Sequence, residues 1–239
     1  MNHSNLTGDS MPKLSKPFAK IVLLEHTPNA DHLVSKAAKQ CYSEESVGDT
    51  YQNINALTDA ALITKVINMG HLSVLEHASF TFAISGISRA CSHQLVRFRV
   101  ASFSQQSQRY CIPGEQFKFV VPPTIGADVE LGTQFNIFMN QCSDFYNYLA
   151  SKGIPAEDAR FVLPNAAETK LVMTMNAREL HHAFSLRCCT HAQWEIREMF
   201  NTIRKIVKEA APTIFAKCGA SCEVFGICPE GARSCGKLN

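Results

Sequence analysis

The chain lacks any glycine-rich phosphate loop. Neither G-x-G-x-x-G nor a Walker-type run occurs among its 12 glycines, which disfavours a Rossmann or P-loop nucleotide site. It also lacks a C-x-x-C pair in spite of 10 cysteines, and it has no charged-then-apolar N-terminal signal and no apolar run long enough to span a bilayer. Reduced thiols in the cytoplasm, with no membrane partner, are therefore the expectation. Charge of one sign is scarce too. A net charge of +2 over 239 residues is too mild for a duplex-binding face, so no nucleic-acid partner is expected, whereas a small anion stays open.

One local absence is more telling. Between Arg97 and Tyr110 the sequence RFRVASFSQQSQRY contains Arg97, Arg99 and Arg109 with Gln105, Gln106, Ser107 and Gln108, and no acid at all. Guanidinium groups give planar, charge-assisted hydrogen bonds to phosphate oxygens at any working pH. The stretch reads either as an anion cradle or as a solvated loop whose arginines pair with distant acids such as Glu76 or Glu179.

What is present organises the rest. Residues 1–17 are polar and aperiodic and read as a flexible tail. Lys20–Leu24 predicts a strand, and a helix follows from about Asp31 to Tyr42. Thr58 is expected to cap a helix that stops at Gly70. Phe80, Phe82 and Ile84 alternate with polar residues as a half-buried strand. Ser88 then caps a helix towards Arg97, beyond which the chain is expected to continue as a loop. Apolar residues from Phe135 to Leu149 recur at helical spacing, and Pro155 suits the first turn of a short helix holding Arg160. Leu171, Met173 and Met175 predict another strand. Asn176 with Glu179, and Thr190 with Gln193, predict two capped helices, the second running to about Ala211. The fold class is α+β: one domain over 18–216 with a mixed or antiparallel sheet flanked by helices, then a cysteine-rich tail over 217–239.

On the helix after Asn176, Arg178 and His182 are four apart and share a face. Arg187 falls about half a turn away, towards a different surface. His71, Glu76 and His77 lack the spacing of a helical zinc site. No metal is expected, although Cys218, Cys222, Cys228 and Cys235 in the tail are a weak candidate set for tetrahedral zinc.

Four ordered segments carry a family resemblance: GHLSVLEH, RFRVASFSQQSQRY, DARFVLP around Arg160, and NARELHHAFSLR followed by HAQWEIRE. The second resembles the arginine-histidine-arginine motif, then seven residues and a serine, of the flavin-dependent thymidylate synthases. Arg97, Arg99 and Ser107 fall on that frame, with Phe98 in place of the histidine. The resemblance covers roughly Ile21 to Phe215.

That resemblance implies a homotetramer with shared active sites. It would bind FAD and convert dUMP to dTMP, with methylenetetrahydrofolate as carbon donor and NADPH as reductant. Gln94, Arg97, Gln105, Gln106, Ser107, Gln108, Arg109, Arg160 and Arg187 would hold dUMP. His71, Ser73, Arg97, Phe98, Arg99, Val100, Gln105, Asn176, Arg178 and His182 would contact FAD. Arg187, against the uracil ring, is the implied catalytic residue. Two other readings stay open: a flavin- and nucleotide-binding NADPH oxidase that transfers no methyl group, and a non-enzymatic nucleotide- or RNA-binding module.

Overall fold

Alternation of apolar and polar side chains in two central strands sets the architecture. The computed structural model describes residues 19–46, 56–111 and 116–238, so the expected tail over 1–17 lies outside the described residues. In chain order the elements are β1 (Lys20–His26), α1 (Ala30–Gln40), α2 (Ala56–Asn68), a 3-10 turn (Leu72–His77), β2 (Ser79–Ser88) and α3 (Arg89–Leu95). They continue as β3 (Ala101–Gln105), α4 (Pro123–Gly126), α5 (Val129–Ser151), α6 (Ala156–Ala159), β4 (Glu168–Asn176), α7 (Ala177–Arg187), α8 (Trp194–Ala210) and α9 (Ser221–Phe225). The strands form one sheet in the order β1-β2-β4-β3, antiparallel at every pairing. The expected α+β class is borne out.

β2 and β4 send Phe80, Phe82 and Ile84, and Leu171, Met173 and Met175, to one buried face. On the other face the hydroxyls of Thr81 and Thr174 meet at 2.9 Å. A register shift between Ser85 and Ile87, at Gly86 with φ 81°, ends the regular pleat. It lets Ile87 turn inward three residues after the inward Ile84, where regular alternation would send it out. Ser88 then caps α3 as expected, accepting from the Cys91 amide.

The core lies between this sheet face and the helices α1, α7 and α8. Phe80, Phe184 and Phe200 surround the core with Phe215 in edge contacts, ring centres 5.3–6.1 Å apart, which is the arrangement aromatic quadrupoles favour. α8 contributes Ile196, Met199, Phe200, Ile203 and Val207 from one stripe. The turn after α8 is tied back to α1, where the Asp31 carboxylate accepts from the amides of Thr213 and Ile214 at 2.9 and 3.0 Å. A smaller apolar cluster of Phe117, Met139 and Ala167 sits under α5.

Four local expectations are corrected. Thr58 lies inside α2 rather than at its cap. Pro155 precedes α6 instead of occupying its first turn, and Arg160 follows that helix. The cap of α8 is Gln193, whose Oε1 accepts from the Glu195 and Ile196 amides, while Thr190 offers its carbonyl to Arg197. Finally, Ala101–Gln105 is a strand, not a loop. As an edge strand it needs only one neighbour, and its polar Ser102 and Ser104 face outward while Ala101 and Phe103 turn in. Past Lys217 the chain begins inside the core, with Cys218 and Ala220 buried.

Candidate active site

α7 starts as the sequence predicts, with the Asn176 side chain accepting from the Glu179 amide at 2.9 Å. Its exposed Arg178 pairs with Glu76 of the 3-10 turn, so this acid, expected to pair with an arginine of the 97–110 stretch, meets a different one. Nearby, exposed His71 shares a hydrogen bond with the Tyr42 hydroxyl, and Ser73 is exposed on the 3-10 turn.

Phe98 is the centre of the first cluster. Its ring is 7% exposed and meets Phe200 at 5.8 Å and His182 at 6.1 Å, both edge-on. The Arg187 guanidinium lies over the same ring at 5.5 Å. One ring thus reaches both His182 and Arg187, which corrects the expectation that Arg187 serves a separate surface: as the last residue of α7 it reaches the Phe98 ring beyond the helix end. Arg187 is half-buried, and burial lowers its pKa while the nearby Cys91 acts the other way. Its Nε is buried and makes no hydrogen bond among the described residues, a donor left without the partner that such groups nearly always find. Arg97, Arg99 and Val100 flank Phe98 as exposed residues.

The second cluster stands at the other end of α3. Arg109 Nη2 meets Glu157 Oε2 at 2.8 Å, both side chains about half exposed, and Arg160 Nε donates to the Glu157 carbonyl at 3.1 Å. Arg160 in turn stands close enough to Arg89 to lower its pKa, after the larger effect of burial. Of these three guanidinium groups only Arg109 meets the Glu157 carboxylate. Arg89, which opens α3, is a residue the sequence reading missed. Its only signal was its place directly after the Ser88 cap.

The glutamines divide between these clusters and the framework. Gln94 donates to the Ala90 carbonyl within its own helix. Gln105 Nε2 donates to Ser92 and Thr169 at 2.9 and 3.1 Å, pinning the end of β3 to α3 and β4. Gln106, Ser107 and Gln108 line an open groove together with Lys118 and Lys170. The Ser107 hydroxyl accepts from the Arg109 amide. Within one protomer the predicted residues therefore gather into two basic clusters at opposite ends of α3, with the groove as a third polar surface.

Comparison with known proteins decides the family. The family model described as thymidylate synthase complementing protein matches residues 22–213. The flavin-dependent thymidylate synthase of Geobacter sulfurreducens is 52% identical over 219 residues, 91% of this chain and 94% of that protein. The chain belongs to the flavin-dependent thymidylate synthase family. Relatives of the same name from Clostridium tetani, 44% identical over 91% of this chain and 93% of the relative, and Pyrococcus abyssi, 42% identical over 89% and 90%, agree.

The family-model match ends at residue 213, before the cysteine-rich segment. There Cys189, Cys222, Cys228 and Cys235 line a small cavity with His191. Cys218 instead faces the core, where burial pushes its thiol up to about 11. The four-cysteine set drawn from the sequence is thus split, and among the described residues no three ligating groups are placed to hold a metal. All ten cysteines are thiols. Among the described residues no helix is long and apolar enough to cross a membrane.

Proposed function

We propose that this protein methylates dUMP to dTMP with FAD as its flavin, methylenetetrahydrofolate as carbon donor and NADPH as reductant. The observation that carries the reading is the family relationship over residues 22–213. It disfavours both the oxidase-like and the non-enzymatic alternatives.

The residues present fit a flavin. A dinucleotide ending in a flat apolar ring system asks for an apolar wall, cations for its diphosphate and donors for its ring edge. Phe98 supplies a ring, exposed Arg97, Arg99 and Arg178 with His182 and Ser73 supply the polar contacts, and Asn176 holds α7 in place beneath them. When bound, the flavin supplies the electron transfer, and the protein supplies orientation and charge.

For dUMP, Arg109, Arg160 and Arg89 form the phosphate seat, with Ser107, Gln106 and Gln108 as neutral donors. Arrival of a phosphate would release Arg109 from Glu157, an exposed pair of little stability. Gln105 serves the site by fixing the end of β3. Arg187 takes the uracil ring. A guanidinium beside N3 favours loss of the N3 proton, by the logic that lowers an acid's pKa near a cation. More electron density then reaches C5, where the new carbon bond forms. The unpartnered Nε of Arg187 is consistent with that task.

The two clusters stand apart in one protomer, and a homotetramer with shared sites would bring an Arg109 cluster to the Arg187 cluster of a neighbouring copy. α5 supports this, since its Ile137, Phe138, Phe145 and Tyr148 are all exposed. Ten unpaired thiols suit a reducing compartment such as the cytoplasm. The test is direct: purified protein, with and without added FAD, is assayed for a flavin absorption spectrum and for dTMP formed from dUMP, methylenetetrahydrofolate and NADPH. Flavin binding and dTMP are expected. NADPH oxidation without dTMP would overturn the reading.

A further inference from the structure

A buried carboxylate stands beside this site with no part in it so far. Glu195, in the first turn of α8, is 1% exposed. No lysine, arginine or histidine pairs with it among the described residues. Its two oxygens instead accept chiefly from Ser88, from the backbone amide at 2.6 Å and from the hydroxyl at 2.5 Å, with a lesser bond from the Gln193 side chain. The Ser88 oxygen accepts in turn from the Cys91 amide at 3.0 Å. A hydroxyl has one proton to give and lone pairs to spare, so all three bonds form together.

A serine alone suffices to cap a helix. Burying a carboxylate behind that cap is costly unless it is hydrogen-bonded, and burial indeed pushes this carboxyl up while the Ser88 bonds, and after them one from Gln193, pull it back. What the carboxylate adds is a link across 107 residues, from α8 to the start of α3. The same helix α8 presents Phe200, whose ring packs on Phe98 just beyond the end of α3. α3 is thereby fastened to α8 at its entry by Glu195 and at its exit by Phe200. Arg89 is the first residue of α3, and Arg97–Arg99 follow its last turn. Any displacement of α3 therefore moves Arg89 and the Arg97–Arg99 turn relative to Arg187.

We propose that Glu195 is a positioning residue that acts through Ser88 to hold α3, and with it Arg89 and the Arg97–Arg99 turn, in register with Arg187. The tie stands on geometry, while the ligands used to read it rest on the proposed function. Glu195→Ala, Glu195→Gln, Ser88→Ala and the Glu195→Gln/Ser88→Ala double variant are compared with the full-length parent protein. Measured are FAD and dUMP affinity, kcat, Tm and the emission of Trp194, the chain's single tryptophan and the neighbour of Glu195.

Glu195→Ala is expected to stay folded, to lose about tenfold or more in kcat and to bind both ligands more weakly. Glu195→Gln keeps an oxygen for the Ser88 amide and should recover to within about threefold of the parent. The double variant should lose less than the product of its single losses, because both changes break one network. A Glu195→Ala protein with shifted Trp194 emission and lowered Tm but parental kcat and affinities would overturn the proposal. So would single losses that simply multiply. Should Glu195→Ala not fold, the cycle between Glu195→Gln and Ser88→Ala still decides by the same criterion. Absence of dTMP from the parent would count against the function reading alone, since the coupling of Glu195 to ligand affinity is measured separately.

Discussion

α8 and α5 are both long amphipathic helices, yet the chain uses them in opposite ways. Of the 17 residues of α8, six are buried, including Phe200 at the centre of the aromatic cluster. Of the 23 of α5, only Met139, Ser143 and Tyr146 are buried, and Phe138, Phe145 and Tyr148 look outward. α8 finds its apolar partners within its own fold, whereas α5 keeps an exposed apolar face, which the proposed homotetramer would cover. The basic clusters follow the same division. Arg187 rests on Phe98, which is packed against α8, while Arg109 and Arg160 meet on α6 and its margin, beside α5. One half of the site is organised by the core, and the other is left at the surface.

Several substitutions would break or sharpen that contrast. Phe200→Ala should show the largest effect, a loss of about 3–5 kcal/mol in unfolding free energy read by denaturant titration, together with weaker flavin binding. Its counterpart Phe145→Asp on α5 should leave the far-ultraviolet dichroism unchanged and shift sedimentation to smaller assemblies. Unchanged sedimentation would show that α5 is not the shared face. Arg187→Lys should keep dUMP bound but slow turnover on the order of a hundredfold, because a point charge does not reproduce the planar fork. A parental kcat would remove Arg187 from the chemistry. Arg109→Ala should weaken dUMP by about 1.5–3 kcal/mol, the range for a charged hydrogen bond, and FAD far less. Equal losses of both ligands would contradict the division.

The smallest effect concerns pH. Burial, opposed by the bond to the Ile214 carbonyl, holds His181 below its ordinary 6.5. The unfolded chain then binds a proton that the folded one resists, so stability should fall as pH drops below 6.5. His181→Phe, which keeps the stack on Phe215, should flatten that slope in thermal melts.

Much of the α8 side was legible in the sequence, because periodicity and caps are local. The alternation in β2 and β4 and the caps at Ser88 and Asn176 could be read within a few residues of each other. The edge strand β3 could not, since its polar composition is unremarkable only once β4 lies on one side and solvent on the other. The pairing of Arg109 with Glu157 and of Arg178 with Glu76 joins residues far apart in the chain, and composition says nothing about which acid an arginine meets. Family resemblance supplied the proposed site residues, yet it gave no role to Arg89 or to Glu195, although Glu195 lies within HAQWEIRE. The roles proposed for them arise from where α3 sits.

The clasp between Asp31 and the amides of Thr213 and Ile214 bears on how the molecule is made. At roughly 5–20 residues per second of synthesis, about 10–40 s separate the emergence of the carboxylate from that of the amides it receives. Throughout that interval the greasy faces of β1 and α1 wait for α8, so completion of the interior follows the emergence of α8, and chaperone occupancy should peak just before it.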